Sequence, residues 1–327
     1  MKISVALCTY NGELYVRQQL QSILSQTQQV DELIICDDGS TDGTVACIEQ
    51  VLKDATIPYK IIQNESSLGV VCNFYKAYHL CSGDIIFSCD QDDVWQMNKV
   101  ERIMPIFEDE KIQLVASNAD IIDAKGNKTG QVLNQLVGFE PPMNQKEWKD
   151  ILLHSFCITG ATMALRKNFF VENEHVSKQW LHDGWLAILA SFENGLYYLN
   201  EPLTLYRIHG HNTAGVGNFH PVTTGLTKPF YFSRYAKEKY ELYKEVEVWL
   251  KQTQKGVPPT LLSCIDFWDS RSKIATYSFS NMRKRTKKMK QENLYIKYAN
   301  TNAYYYLDYY FWLVYKIFKS KARKAMN

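Results

Sequence analysis

The first 90 residues alternate short apolar runs with segments of helical periodicity, and this order restricts the possible folds more than any other feature. The apolar runs predict strands at Ile3–Thr9, Glu32–Cys36, Tyr59–Gln63 and Asp84–Cys89. Helices are predicted near residues 13–25, from residue 41, and over residues 69–81. Strands that alternate with helices of about a dozen residues indicate an α/β fold, in which a mostly parallel sheet carries helices on both faces.

Three of these strands end in polar clusters. The clusters are Thr9-Tyr10-Asn11, Asp37-Asp38-Gly39-Ser40 and Asp90-Gln91-Asp92-Asp93. Ligands of such sheets bind at the carboxyl ends of the strands. The sequence therefore predicts one ligand site on which the three clusters converge.

The segment that begins at Asp90 has the pattern of a metal site. On near-extended backbone Asp90 and Asp92 point the same way, and two adjacent carboxylates repel each other unless a cation lies between them. Mg²⁺ and Mn²⁺ are the expected ions, because Mg²⁺ takes oxygen ligands and often shares its shell with substrate phosphates. The alternative is an acidic turn that only ends a strand.

The pair Asp37 and Asp38 has two interpretations. It can form a turn with a helix cap, and it can accept hydrogen bonds from a base N–H or a ribose hydroxyl. The sequence contains neither the glycine fingerprint of dinucleotide-binding enzymes nor that of P-loop nucleotide hydrolases. This argues against both classes.

The remainder of the chain predicts a catalytic domain followed by a helical extension. Further strands are expected at Gln113–Asn118, near Gly160–Arg166 and around Leu196–Leu205, with a helix that begins near Asp183. The glycines and prolines of 215–229 are the best boundary. We therefore expect one domain over 1–217, with halves 1–95 and 96–217, and an extension over 218–327.

Charge is divided unevenly along the chain. Residues 271–327 contain 14 Lys and Arg against two Asp and Glu, a net +12, whereas the first 270 residues have a net −10. The run from Arg283 to Lys290 and the aromatic stretch from Tyr304 to Phe318 suit the headgroup layer of a membrane. Asp308 makes this stretch a poor spanning helix. A solvated surface and a dimer interface are the alternatives, and no nucleic-acid motif is present.

The eight cysteines predict a reducing environment. None forms a C-x-x-C pair, and several lie in apolar runs, as Cys8, Cys36 and Cys89 do. The first residues lack the pattern of a signal peptide. We expect a cytoplasmic protein.

Four motifs, in order, resemble family 2 glycosyltransferases over roughly residues 1–215. They are Ala6-Leu7-Cys8-Thr9-Tyr10-Asn11-Gly12, Asp37–Thr44, Asn64 through Gly69 to Asn73, and Asp90-Gln91-Asp92-Asp93-Val94-Trp95 with Lys99. The resemblance implies a GT-A fold and inversion of the anomeric centre. The Asp-Gln-Asp-Asp-Val-Trp form resembles the bacterial branch that contains rhamnosyltransferases of cell-wall and capsule polysaccharide synthesis.

The resemblance also implies roles for individual residues. Thr9, Tyr10 and Asn11 lie along the nucleotide, Asp38 with Asp37 holds the base or ribose, and Asp90 faces the ribose or the metal. Asp92 binds the metal, and Asn73 belongs to the donor site.

Three later segments match the family as well. Thr159–Ala164 resembles the strand that lines the acceptor site, although a core strand with a glycine kink fits equally. Asp183 occupies the position of the catalytic base, or else caps a helix, and His182 replaces the glutamate of many relatives. His209 is expected at the metal or a phosphate and Arg207 at a phosphate, or both are structural.

The implied reaction is transfer of a sugar to a hydroxyl of a lipid-linked saccharide, with Mg²⁺ or Mn²⁺, at the inner face of the cell membrane. The expected donor is dTDP-L-rhamnose, and UDP-galactose or another UDP-hexose is the alternative. A non-catalytic nucleotide-sugar-binding scaffold is the rival of a different class. A nucleotidyltransferase would need a glycine-rich basic loop after the first strand, which this sequence lacks.

Overall fold

The fold is taken from a computed structural model, which describes residues 1–141, 147–154, 157–210, 212 and 229–317, with no side chains for 229–233. The predicted boundary at 215–229 lies outside the described residues except for its last residue, as do His211, Phe318 and the basic residues that follow it.

The chain divides into two compact units. The first comprises Met1–Trp148 and Phe156–Val216, and the second comprises Lys149–Ser155 and Gly217–Asn327. The segment 149–155 belongs to the second unit although it lies inside the predicted catalytic domain.

The N-terminal half is a parallel sheet with helices between its strands. The strands are β1 (Ile3–Thr9), β2 (Glu32–Asp37), β3 (Tyr59–Gln63) and β4 (Ile85–Asp90). The helices are α1 (Val16–Leu24), α2 (Thr44–Leu52) and α3 (Val70–Leu80). The strands lie in the order β3-β2-β1-β4, all parallel. Their register places Thr9 opposite Asp37, and Cys8 opposite Asp90, so three strand ends meet at one edge.

Beyond β4 the sheet becomes mixed. It continues through β8, β6, β9 and β5, and β7 pairs with β6. The added strands are β5 (Val94–Trp95), β6 (Leu114–Ile122), β7 (Lys128–Val132), β8 (Met163–Arg166) and β9 (Leu196–Arg207). The added helices are α4 (Lys99–Ile103), α5 (Leu133–Leu136), α7 (Lys167–Asn173) and α8 (His182–Phe192), and helix α6 (Trp148–Leu152) lies mostly in the second unit. Strand β8 is antiparallel to both β4 and β6. Its apolar residues predict a strand but not its direction.

Alternation along β1 gives the sheet two packed faces. Val5 and Leu7 share a core with Val16, Leu20 and Ile23, which follow helical spacing along α1. Full burial of one such side chain contributes about 1.5–3 kcal/mol, so Leu20→Ala would remove part of this core and leave a cavity.

The opposite face is covered by aromatic residues. Tyr78 of α3 meets Phe170 of α7 edge to face, with ring centroids 5.1 Å apart. Helices thus lie on both faces, as predicted, and the expected α/β class is confirmed.

The second unit is helical. Its C-terminal helices are α9 (Pro229–Gln252), α10 (Pro259–Ser272), α11 (Phe279–Gln291), α12 (Leu294–Ala299) and α13 (Ala303–Ile317). Pro259 opens α10, where a missing N–H costs nothing. Ser278 caps α11 by accepting the N–H of Asn281 at 3.3 Å. No helix among the described residues has both the length and the apolar character needed to cross a bilayer.

Candidate active site

The loops after β1, β2 and β4 are held to one another by side chains. The Gln91 amide accepts the N–H of Tyr10 at 2.8 Å and donates to its carbonyl at 2.9 Å. Asn11, at a φ of 48°, donates its N–H to Ser40 and accepts the N–H of Thr41. The three polar clusters therefore form one surface.

This surface is the floor of a cavity of about 370 Å³ in the first unit. Its polar lining includes Thr9, Tyr10, Asp38, Asn73, Asp90, Asp92, Thr159, His182, Asp183, Tyr206 and Asn212. The structure thus brings together residues that are far apart in the sequence and that were expected at the donor, the metal and the acceptor.

Asp37 lies beneath the cavity rather than in it. Its buried carboxylate accepts the Thr9 hydroxyl at 2.8 Å and both the N–H and the hydroxyl of Ser40. These bonds shape the turn after β2. Of the two acids after this strand, only Asp38 lines the cavity.

Asp38 has its oxygens occupied by the protein. They accept the side chains of Asn64 and Ser67 at 2.8 and 2.6 Å and the N–H groups of Leu68 and Gly69 at 2.7 and 3.0 Å. Burial acts to raise the pKa of Asp38, but these hydrogen bonds outweigh it and lower the pKa. Gly69 adopts a φ of 81°, a conformation that favours glycine. Asp38 therefore positions the loop that opens α3.

Asn73 supports the same loop from below. Its amide donates to the Cys36 carbonyl at 2.9 Å and accepts Asn64 at 2.9 Å. It thus ties the start of α3 to the end of β2.

The acids after β4 form a crowded cluster. Burial, and next Asp92 and Asp183, raise the pKa of Asp90 to about 8. Burial, Asp92 and Asp90 raise the pKa of Asp93 well above its usual range. One oxygen of Asp93 accepts the N–H of Arg207 at 2.8 Å, and the other has no hydrogen-bond partner among the described residues. A cation at this edge would relieve the repulsion.

Lys99 is a buried cation whose charge opposes the rise in the pKa of Asp90 and of Asp93. Its ammonium donates to the Ala161 carbonyl at 2.9 Å and to the Thr204 hydroxyl at 3.0 Å, and it lies 4.3 Å from the Trp95 ring. Burial lowers the pKa of Lys99 to about 8. The sequence motif contains Lys99 but gives it no role. Its spacing after the acidic cluster was the available signal.

His209 lies beside Asp92. Its Nε2 lies 2.8 Å from an Asp92 oxygen, and its backbone N–H donates to Asn212 at 2.6 Å. The described residues contain no group of three or more His, Cys, Asp or Glu side chains arranged around a possible ion. A carboxylate and an imidazole still suit an ion that takes its other ligands from substrate phosphates and water.

Arg207 does not reach the cavity. It is 1% exposed, and its guanidinium donates to the Asp92 carbonyl and the Gln18 side chain, both at 2.7 Å, and lies over the Tyr15 ring at 4.7 Å. The structure therefore places Arg207 behind the acidic loop, where it holds that loop in position, rather than at a donor phosphate.

Asp183 lines the same cavity as Asp90 and Asp92. Its oxygens accept the N–H of Gly160 at 2.9 Å and of Gly184 at 2.7 Å. Helix α8 is capped at Leu181 without a side-chain bond, so the N-cap interpretation of Asp183 is wrong. Another acid, Asp120 of β6, pairs with Lys128 at 2.7 Å and does not line the cavity, so it is not placed to act there in the role of Asp183.

His182 is buried against an aromatic ring, unlike the adjacent Asp183. Its ring is 4% exposed and stacks on Phe74 with centroids 4.1 Å apart. Neither ring nitrogen has a hydrogen-bond partner among the described residues. Burial lowers its pKa. A Cβ on Gly160 would lie 2.7 Å from its Nε2, so the glycine leaves room for this ring.

The sequence matches the family described as Glycosyl transferase family 2 over residues 4–172. An uncharacterized glycosyltransferase of Haemophilus influenzae is 30% identical over 66% of this chain and 68% of its own length. Another, alr2836 of Nostoc, is 28% identical, and the alignment spans 66% of its length. The dTDP-rhamnosyl transferase RfbG of Shigella flexneri is 25% identical over 82% of this chain and 95% of its own.

The fold is similar to that of a solved structure, S. aureus TarS 1-349 in complex with UDP-GlcNAc. The TM-score is 0.53 at 18% identity, over 73% of this chain and 66% of that one.

Proposed function

The chain belongs to family 2 of the glycosyltransferases, and from this membership and the geometry of the cavity we propose that it is an inverting, metal-dependent glycosyltransferase. The observation that carries the proposal is the position of Asp183. Its carboxylate shares one cavity with the strand ends and with Asp92, and Asp92 pairs with His209. A nucleotide-sugar donor and an acceptor hydroxyl can meet between them.

The donor lies along the carboxyl ends of β1, β2 and β4. The Tyr10 ring is 53% exposed and offers an apolar face to the base or ribose. Asp38 and Asn73 line the adjacent wall. The TarS structure with UDP-GlcNAc supports a nucleotide sugar as the ligand of this fold.

Asp92 and His209 would hold Mg²⁺ or Mn²⁺. When bound, such an ion stabilises the charge that develops on the departing nucleoside diphosphate. The neighbouring Asp90 and Asp93 support a cation here, because their buried carboxylates otherwise repel each other.

Asp183 acts as the general base. Two N–H groups orient its carboxylate, which removes the proton of the acceptor hydroxyl while the hydroxyl oxygen bonds to the anomeric carbon. The bond from that carbon to the phosphate oxygen breaks on the opposite face, and the nucleoside diphosphate leaves. The configuration inverts, and no covalent intermediate forms.

The proposed donor is dTDP-L-rhamnose, and the similarity to RfbG supports it. UDP-galactose or another UDP-hexose is the alternative. The proposed acceptor is a lipid-linked saccharide at the inner face of the membrane, and the basic, aromatic C-terminal extension would provide a peripheral contact there.

A panel of nucleotide sugars, with Mn²⁺ and with chelator, tests the proposal. The correct donor should raise the unfolding temperature, since ligand at 100 times its Kd adds about 2.7 kcal/mol. The wild type should release nucleoside diphosphate from that donor, and Asp183→Asn should release far less. Stabilisation without release by the wild type would favour the non-catalytic scaffold.

A further inference from the structure

Helix α11 carries a basic pocket that the proposed reaction does not use. Arg283, Lys287 and Lys290 follow one another at intervals of four and three residues and so lie on one face of the helix. They border a cavity of about 410 Å³ in the second unit. The lining residues, which define the basic pocket, are Arg283, Lys287, Lys290, Gln291, Tyr305 and Tyr309.

The charge of the basic pocket is not neutralised by any carboxylate of the described residues. None of its three cations pairs with a carboxylate within the part of the chain that the structure describes. On the same helix, Lys288 lies 3.8 Å from Glu292, and Arg285 donates to Ser270 at 2.7 Å. Like charges at neighbouring helical positions destabilise a helix, so a bound anion would relieve this repulsion.

Two phenols complete the pocket beside the cations. The Tyr309 hydroxyl accepts a hydrogen bond from the Thr286 hydroxyl at 3.3 Å. The Tyr305 hydroxyl lies 3.5 Å from the Tyr309 hydroxyl. The Lys290 ammonium lies 4.3 Å from the centroid of the Tyr305 ring. The pocket therefore combines positive charge with hydroxyl donors in a defined place, unlike a run of cations in solvent.

We propose that the basic pocket binds a phosphoryl group, and a diphosphate in preference to a single carboxylate. Three positive charges exceed what one carboxylate can neutralise, and the fork of the Arg283 guanidinium matches two phosphate oxygens. Lys287, Lys290 and the phenols supply further donors. The group can come from a lipid headgroup or from a soluble phosphorylated compound. All lining residues lie in the second unit, so this inference is independent of the donor site.

Calorimetry with inorganic pyrophosphate tests the pocket on the full chain, in chelator to suppress cation-dependent binding elsewhere. Lys287→Gln/Lys290→Gln is compared with Lys284→Gln/Lys288→Gln, which removes the same charge from the same helix outside the pocket. We expect affinity to fall about tenfold or more in the pocket variant and about twofold or less in the control. Equal losses, or no binding by the wild type, would overturn the proposal.

Co-sedimentation with vesicles identifies the source of the group. The vesicles contain phosphatidylcholine alone or with phosphatidylglycerol. A lipid headgroup predicts that the pocket variant loses binding to the anionic vesicles and that pyrophosphate displaces the wild type from them. A soluble ligand predicts unchanged vesicle binding in a variant that has lost pyrophosphate binding. Both variants should unfold at the wild-type temperature, because the substituted lysines are exposed.

Discussion

Buried charge is arranged differently in the two compact units. In the first, Asp90, Asp92 and Asp93 lie at and just beyond the end of β4, and the buried ammonium near them, Lys99, donates to uncharged oxygens. In the second, the Arg271 guanidinium meets the Asp308 carboxylate at 3.2 Å, and both are almost fully buried. The Tyr295 hydroxyl donates to the same carboxylate at 2.7 Å.

This difference distinguishes a ligand site in the first unit from a structural ion pair in the second. A buried charge without compensation is costly, which supports the proposal that a ligand completes the acidic cluster at the cavity. A buried charge that meets its counter-charge within its own unit indicates a structural role. The rings of Tyr304 and Trp268 around the Arg271 guanidinium, 4.4 and 5.0 Å from it, strengthen that second interpretation.

The largest effect is expected when the buried pair is broken. Asp308→Leu should lower the free energy of unfolding by about 3–5 kcal/mol, because Arg271 remains buried without a counter-charge. Urea denaturation measures this loss.

Two matched variants sharpen this test. Arg271→Met/Asp308→Leu should recover most of the stability. Asp269→Leu, at the partly exposed pair with Lys273, should cost less than about 1 kcal/mol. A double variant as unstable as Asp308→Leu would contradict the structural role of the pair.

Asp183→Asn should lower turnover by about 10²-fold or more and leave donor binding almost intact, as for loss of a general base. Product formation and donor titration measure the two quantities. Asp123→Asn is the matched control, since that half-buried acid lies in the turn between β6 and β7 and does not line the cavity. Near-normal turnover in Asp183→Asn would show that the base lies elsewhere.

If the acidic cluster binds a divalent cation, as proposed, the affinity for nucleoside diphosphate should depend on that cation. In the wild type, the affinity for nucleoside diphosphate should fall when a chelator is added, and in Asp92→Ala the affinities with and without chelator should be equal. Calorimetry measures both. Asp120→Asn, outside the cavity, should keep the wild-type dependence. Equal affinities in the wild type would remove Asp92 from the proposed metal site.

The smallest effect concerns pH and His182. Burial lowers the pKa of His182 below its unfolded value near 6.5. The unfolded chain therefore takes up a proton first, and stability present above pH 6.5 is lost as the pH falls. Wild-type unfolding free energy should decline below pH 6.5 by up to about 1.4 kcal/mol per pH unit more than that of His182→Leu. Parallel curves for the two proteins would indicate that the ring has a polar partner in solution.

Much of the first unit could be predicted from local patterns. Strand β1 occupies the predicted residues, and β2 and β4 end at or next to the predicted positions, because apolar alternation and turn residues are local signals. The convergence of Thr9, Asp38 and Asp90 followed from the parallel order of the strands. Other details did not follow. The direction of β8 and the membership of 149–155 in the second unit depend on tertiary contacts. The spacing of apolar residues along the sequence does not reveal these contacts.

The sequence alone determined which residue types stand at the strand ends, and hence the family and the place of the cavity. Tertiary structure decided which side chains face that cavity. Asp37 and Asp38 are adjacent, yet one is enclosed by its own turn and the other lines the cavity. Arg207 points into the fold, and His209 reaches Asp92 across more than 100 residues of sequence. Side-chain direction depends on strand register and on partners distant in the chain, and these are set only when the whole sheet has formed.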